Sequence, residues 1–270
     1  MVRSARVVSA LADPDERDMR LRTILRIAPL LAATLTACAS RGPVLENLDQ
    51  EALFQYGMER LQDEDWTAAI SAFERFTLTF PNHGRVAEAR FRIGEAYAGR
   101  GDNVTAAMEF NRLASDFPAG PWADDARFAV CRAYYELSPA PPRDQEYTVT
   151  GIDHCRSLTL YYPESEFVPR AREMMQRLLN KLAEKDYDTA EYYFRRRHYH
   201  GANIYYEGVA NDYPETPWAP RALLRLHESY TRLGYDQEAQ EAKERLLREF
   251  PDSPQARQIE GTGITAASRS

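Results

Sequence analysis

Between residues 50 and 251 apolar residues recur at three- and four-residue spacing, broken only by short polar turns, which predicts amphipathic helices in succession. Ala52, Phe54, Gly57, Ala69, Phe73, Phe80 and Pro81 return 37 residues later as Ala89, Phe91, Gly94, Ala106, Phe110, Phe117 and Pro118. Each copy has two arms around a polar turn, Arg100-Gly101-Asp102-Asn103 in the second. An aromatic–proline pair closes each copy, because proline cannot continue a helix and keeps its predecessor out of the α region. A third copy begins with Phe128, Val130, Cys131 and Tyr134 and ends at Tyr162-Pro163. Eight residues, Ser138–Gln145, are inserted between its arms; Pro139, Pro141 and Pro142 make them a protruding loop. The next terminator, Tyr213-Pro214, lies 51 residues further on, 14 more than the period. Ala171, Met174, Leu178 and Leu182 run as one stripe through the excess, with no breaker before Gly201. That predicts a single helix of about 30 residues, roughly 45 Å long. The last copy carries Ala222, Leu226, Tyr230, Ala239 and Leu246 and stops at Phe250-Pro251.

Helix–turn–helix units with a small residue where the arms cross follow the tetratricopeptide pattern. The expected fold is all-α: a tetratricopeptide-repeat α-solenoid of about five helix pairs, with the elongated helix in the fourth repeat. Repeats one to three occupy 50–163 and repeats four and five 164–255, while 256–270, small and polar, reads as a disordered tail. Composition agrees with one folded body: 270 residues, 44% hydrophobic and 28% charged. The net charge of −7 becomes −9 without residues 1–37, which excludes non-specific binding of nucleic acid.

The first 37 residues read as a targeting segment rather than as fold. Arg20, Arg22 and Arg26 precede the short apolar stretch Ile27–Leu35, too short to span a bilayer. Leu35-Thr36-Ala37-Cys38 then resembles the bacterial lipobox, which implies a mature chain beginning at lipidated Cys38, tethered through 38–49. Met19 is a more usual start, so 1–18 reads as an upstream extension. By resemblance, Ala39 fits sorting to the outer membrane.

The lipobox, the five repeats, the long fourth-repeat helix and Ala190-Glu191-Tyr192-Tyr193 followed by Tyr213-Pro214 together resemble the BamD family. These are the lipoprotein subunits of the β-barrel assembly machinery, and the resemblance covers about residues 35–252. It implies a scaffold on the periplasmic face of the cell outer membrane, anchored by lipid. Its implied partners are the periplasmic domains of BamA, unfolded β-barrel outer membrane proteins and other Bam lipoproteins, with no nucleic acid, cofactor or catalysis. The family places a basic residue where this chain has Tyr205, a departure that alters or removes one BamA contact. The alternative is another periplasmic repeat adaptor, a Tol-Pal-associated coordinator or a secretin pilotin. The former is not expected to carry a lipobox, and the latter should lack the long helix.

The chemistry-bearing residues fit a binding role. The chain has no HExxH, GxSxG, P-loop or dinucleotide fingerprint. His198 and His200, two apart, sit on different faces of a helix and share no metal, and Met174-Met175 reads as core filling. Arg195, Arg196 and Arg197 with Tyr199 and Tyr205 form a candidate partner-docking patch, since Arg and Tyr are enriched in hot spots. Phe54, Phe91 and Phe128, one register position in three repeats, are expected to line a peptide groove with Tyr135 nearby. Cys131 is expected to face Gly151, which leaves Cys155 one turn away and both thiols reduced.

Overall fold

The structure, a computed structural model, describes residues 45–267. The features expected before it, the targeting segment with its upstream extension, Cys38 and most of the tether, lie outside the described residues. The chain divides into two compact units at Asn47. The described part of the first is a 3-10 turn, Leu45–Asn47. The second, from Leu48, is helical throughout its described residues.

Its helices are α1 (Gln50–Gln62), α2 (Trp66–Thr79), α3 (Val86–Gly99), α4 (Asn103–Asp116), α5 (Ala123–Leu137) and α6 (Glu146–Tyr161). They continue as α7 (Val168–Arg195), α8 (Tyr199–Asp212), α9 (Trp218–Leu233), α10 (Asp236–Glu249) and α11 (Pro254–Ala267). Each of α1 to α10 packs chiefly on its neighbours in sequence, the stacking of a tetratricopeptide solenoid. Asp49, Asp65 and Asp102 start α1, α2 and α4, each carboxylate accepting the N–H three residues on, from Ala52, Ala68 and Thr105. At Asp102 that backbone hydrogen bond, then the Thr105 hydroxyl, lowers the carboxyl pKa. The turn within four of the five repeats places one residue in the left-handed region: Glu64, Gly101, Arg197 and Gly234, with φ of 58°, 83°, 63° and 74°.

α7 is the expected long helix, 28 residues and about 42 Å. Pro169 stands in its first turn, and Ala171, Leu178, Ala183, Ala190 and Phe194 are buried along it.

Three expectations are overturned. Phe54, Phe91 and Phe128 are at most 8% exposed and line no groove. Phe54 packs edge-on against Phe73 and Phe76 of its own repeat and lies under the Arg85 guanidinium of the next. Phe91 meets Phe110 and Trp122, and Phe128 stacks on Phe167. The register position faces the seam between repeats, where burial stabilises most. Tyr135 remains half-buried, its hydroxyl accepting from Arg177 Nη1 at 3.4 Å.

Cys131 and Cys155 form a disulfide, with Cα atoms 4.7 Å apart. The register explains it. A Cβ on Gly57 would meet the Phe73 ring at 2.8 Å, and one on Gly94 the Phe110 ring at 2.5 Å. Advanced by the period and the insert, those pairs become Cys131 and Cys155. Gly151 instead faces Tyr134, one turn on from the expected contact.

The expected disordered tail is, up to Ala267, helix α11. Ser253 Oγ accepts the Ala256 N–H at its start, and Ala256 and Ile259 are buried with Leu223 and Leu226. The helix covers an apolar face of α9 that would otherwise end the solenoid exposed.

Candidate functional site

The last two turns of α7 pack on α8 through Ala190 and Phe194, and the exit into α8 follows from a tight turn: the N–H groups of Arg197 and His198 bond the carbonyls of Phe194 and Tyr193. On the solvent side this assembles one continuous surface. The Arg196 guanidinium lies 3.7 Å from the centroid of the Tyr192 ring, one turn earlier on α7. Tyr192 meets Tyr193 edge-on at 5.5 Å, and Tyr193 stacks on Tyr205 of α8 at 5.7 Å. Tyr192 is 48% exposed, Tyr205 36%, and Ile204 on the same helix 70%.

The expected patch is therefore partly brought together. Arg196 and Tyr205 belong to it, and Arg195 and Arg197 are exposed around it. Tyr199 does not: it packs edge-on against Phe194 at 5.4 Å and accepts from Arg232 Nη1 at 3.1 Å. Tyr192 and Ile204 were missed. The four-residue interval from Tyr192 to Arg196 on an expected helix was the readable signal for the first.

Beneath this surface a charged cluster fixes α7 to α8 and α9. Tyr206 is fully buried and donates to Glu191 Oε1 at 2.6 Å, and Arg225 Nε pairs with the same oxygen at 2.7 Å. Burial first, and the Glu191 carboxylate second, push the Tyr206 phenol far above its ordinary pKa. Arg225 also pairs with Glu228 at 2.7 Å and lies over Phe194. The aromatic surface thus stands on a base whose polar groups are tied together.

The amino-terminal repeats offer a cleft of about 670 Å³, lined by Trp66, Arg92, Glu95, Asn103, Arg132 and Glu136. Trp66 lies flat against Gly99, where a Cβ would come within 2.8 Å of its ring. Arg92 is paired with Glu95 at 2.7 Å and Glu88 at 3.5 Å. The cleft mixes these charged side chains with Trp66, Leu61 and Ala98, and none of Phe54, Phe91 and Phe128 lines it. Among the described residues no group of three or more His, Cys, Asp or Glu side chains could hold a metal ion, and no helix is long and apolar enough to cross a membrane.

Comparison with known proteins agrees with this architecture. The chain is 25% identical over 228 residues to the outer membrane protein assembly factor BamD of Caulobacter vibrioides, covering 83% of this chain and 75% of that protein. It is 24% identical over 243 residues to the BamD of Neisseria meningitidis serogroup A, covering 83% and 90%. With the BamD of Vibrio cholerae it shares 25% identity over 224 residues, covering 77% and 91%. Residues 46–246 match the YfiO family, described as outer membrane lipoprotein. That span includes repeats one to four, the long helix and most of repeat five, and the chain belongs to the YfiO family of outer membrane lipoproteins.

Proposed function

We propose that this chain is a lipid-anchored scaffold for outer membrane protein assembly. It is tethered at Cys38 to the periplasmic face of the outer membrane and works without cofactor or covalent chemistry. The names of its relatives support the role, and the observation that carries the docking surface is the run Arg196–Tyr192–Tyr193–Tyr205. Aromatic rings and an arginine, exposed on two helices braced from beneath, have the composition of a binding hot spot. The BamA periplasmic domains are the partner of that surface, and unfolded β-barrel precursors are the cargo that the scaffold serves.

The test is co-purification from detergent-solubilised membranes. Combined Tyr192→Ala and Arg196→Glu is expected to cut recovery of a β-barrel partner with periplasmic repeat domains by about tenfold or more, a hot-spot loss, with the melting temperature kept. Unchanged recovery rejects the surface. Intact-mass measurement of membrane-extracted protein checks the anchor: a chain retaining residues 1–37 is not lipidated at Cys38.

A further inference from the structure

We infer that one edge of the amino-terminal solenoid is a lipid-facing surface, resting on the bilayer through Leu78, Phe117, Leu160 and Tyr161; this rests on the reading of Cys38 as the anchor. In an antiparallel repeat the first arm begins where the second arm ends. The amino-termini of α1, α3 and α5 and the carboxy-termini of α2, α4 and α6 therefore share an edge. Contacts along it are direct. Glu51 pairs with Arg85 at 3.5 Å, Arg90 with Asp116 at 2.6 Å, and the Tyr162 hydroxyl donates to the Pro118 carbonyl at 2.8 Å.

The four apolar side chains lie at this edge and are exposed: Leu78 by 79%, Phe117 by 36%, and Leu160 and Tyr161 by 69% each. Leu78 and Leu160 occupy one register position, two residues before the aromatic that ends the repeat. In repeats two, four and five the positions of Leu160 and Tyr161 are held by Ser115 with Asp116, Asn211 with Asp212 and Arg248 with Glu249. Apolar exposure at these second-arm ends is thus found in repeats one and three, with the Phe117 ring between them. Buried packing does not explain it, and a water-facing edge gains nothing from it.

The occupant follows from where the chain enters. Nine residues, Ala39–Asn47, separate Cys38 from the folded unit, and fully extended they reach at most about 32 Å. They join at Leu48, ahead of α1, on this same edge. An anchored chain cannot move the edge far from the bilayer. Confinement turns weak apolar contacts into effective ones, because the second encounter is intramolecular. Leucine enters the acyl boundary and tyrosine prefers the headgroup level, so Leu160-Tyr161 suits an interface better than a bilayer core. Basic residues do not dominate the edge: Arg85, Arg90 and Arg156 each pair with a carboxylate. Contact with neutral phospholipid is therefore apolar and insensitive to salt.

The test uses protein extracted from membranes and reconstituted into phosphatidylcholine vesicles. A benzophenone amino acid replaces Tyr161 or, on the opposite edge, Asp63, also exposed. Irradiation is expected to give phospholipid adducts at 161 at least about tenfold above those at 63, as for a side chain held at the headgroup level. Equal yields, or no adduct at 161 in protein that floats with the vesicles, overturn the inference. Failure of the anchor reading shows separately, as protein that does not float. Cys38, the one cysteine outside the disulfide, is then coupled to a maleimide-headgroup phospholipid and the same ratio is read.

Discussion

Phe54, Phe91 and Phe128 share a register position and meet three different partners. The seam between repeats asks for bulk, and each repeat supplies its neighbour differently: a guanidinium from Arg85, an indole from Trp122, a ring from Phe167. The crossing within each repeat is stricter. Gly57 and Gly94 leave room for a phenylalanine ring, and the third repeat trades both members for cysteine. Sulfur fills less space than a ring, so this crossing depends on its covalent bond. Closing a 24-residue separation removes about 3–4 kcal/mol of chain entropy from the unfolded state. Replacing Cys131 and Cys155 together by alanine is expected to destabilise by that amount or slightly more, read as a lower denaturant midpoint with a somewhat steeper slope, because the unbridged unfolded chain exposes more surface. A loss under about 1 kcal/mol would mean that packing, not the bond, holds the crossing.

At the scale of elements, the insert in repeat three behaves as a built structure. Gln145, 5% exposed, donates from Nε2 to the carbonyls of Ala140, Pro141 and Arg143, while its Oε1 accepts from Thr148. Lys181 of α7 donates to the carbonyl and hydroxyl of Ser138, and Lys185 to the Arg143 carbonyl. One buried amide thus shares its two N–H donors among three loop carbonyls, and two lysines bind the loop to the long helix. Gln145→Ala takes the side-chain donor from the Pro141 carbonyl, while Ala140 keeps the Arg143 N–H and Arg143 keeps Lys185 Nζ, at a cost of about 1–3 kcal/mol to the loop. Tryptic cleavage after the exposed Arg143 is expected to accelerate while helicity stays unchanged; an unaltered rate would show the lysines sufficient. Periodicity and prolines made the helices, the long α7 and the protruding insert legible. They could not reveal that a glutamine would order the loop, because that depends on carbonyls turned inward by local backbone. The disulfide was nearer to hand: it needed only the glycine–phenylalanine contact as the reference, rather than the smaller Ala69 and Ala106. The docking surface was half legible, as arginines and one tyrosine, since stacking between α7 and α8 is set by how they pack.

The whole solenoid needs an end. α11 supplies it, and its start signal, Ser253-Pro254 followed by Ala256 and Ile259, was readable beneath a small, polar composition. Ile259→Asp places a charge at a site 3% exposed, within the cluster that includes Leu226 and Leu246. It is expected to cost about 3 kcal/mol or more, lowering the melting temperature and exposing α9 to hydrophobic dyes. An unchanged melting curve would make α11 dispensable. The body also owes part of its cohesion to a bond that exists only under oxidation. A third repeat with two thiols is loose; with a disulfide it is firm. The same polypeptide is therefore easier to unfold where its thiols are reduced than where they are oxidised.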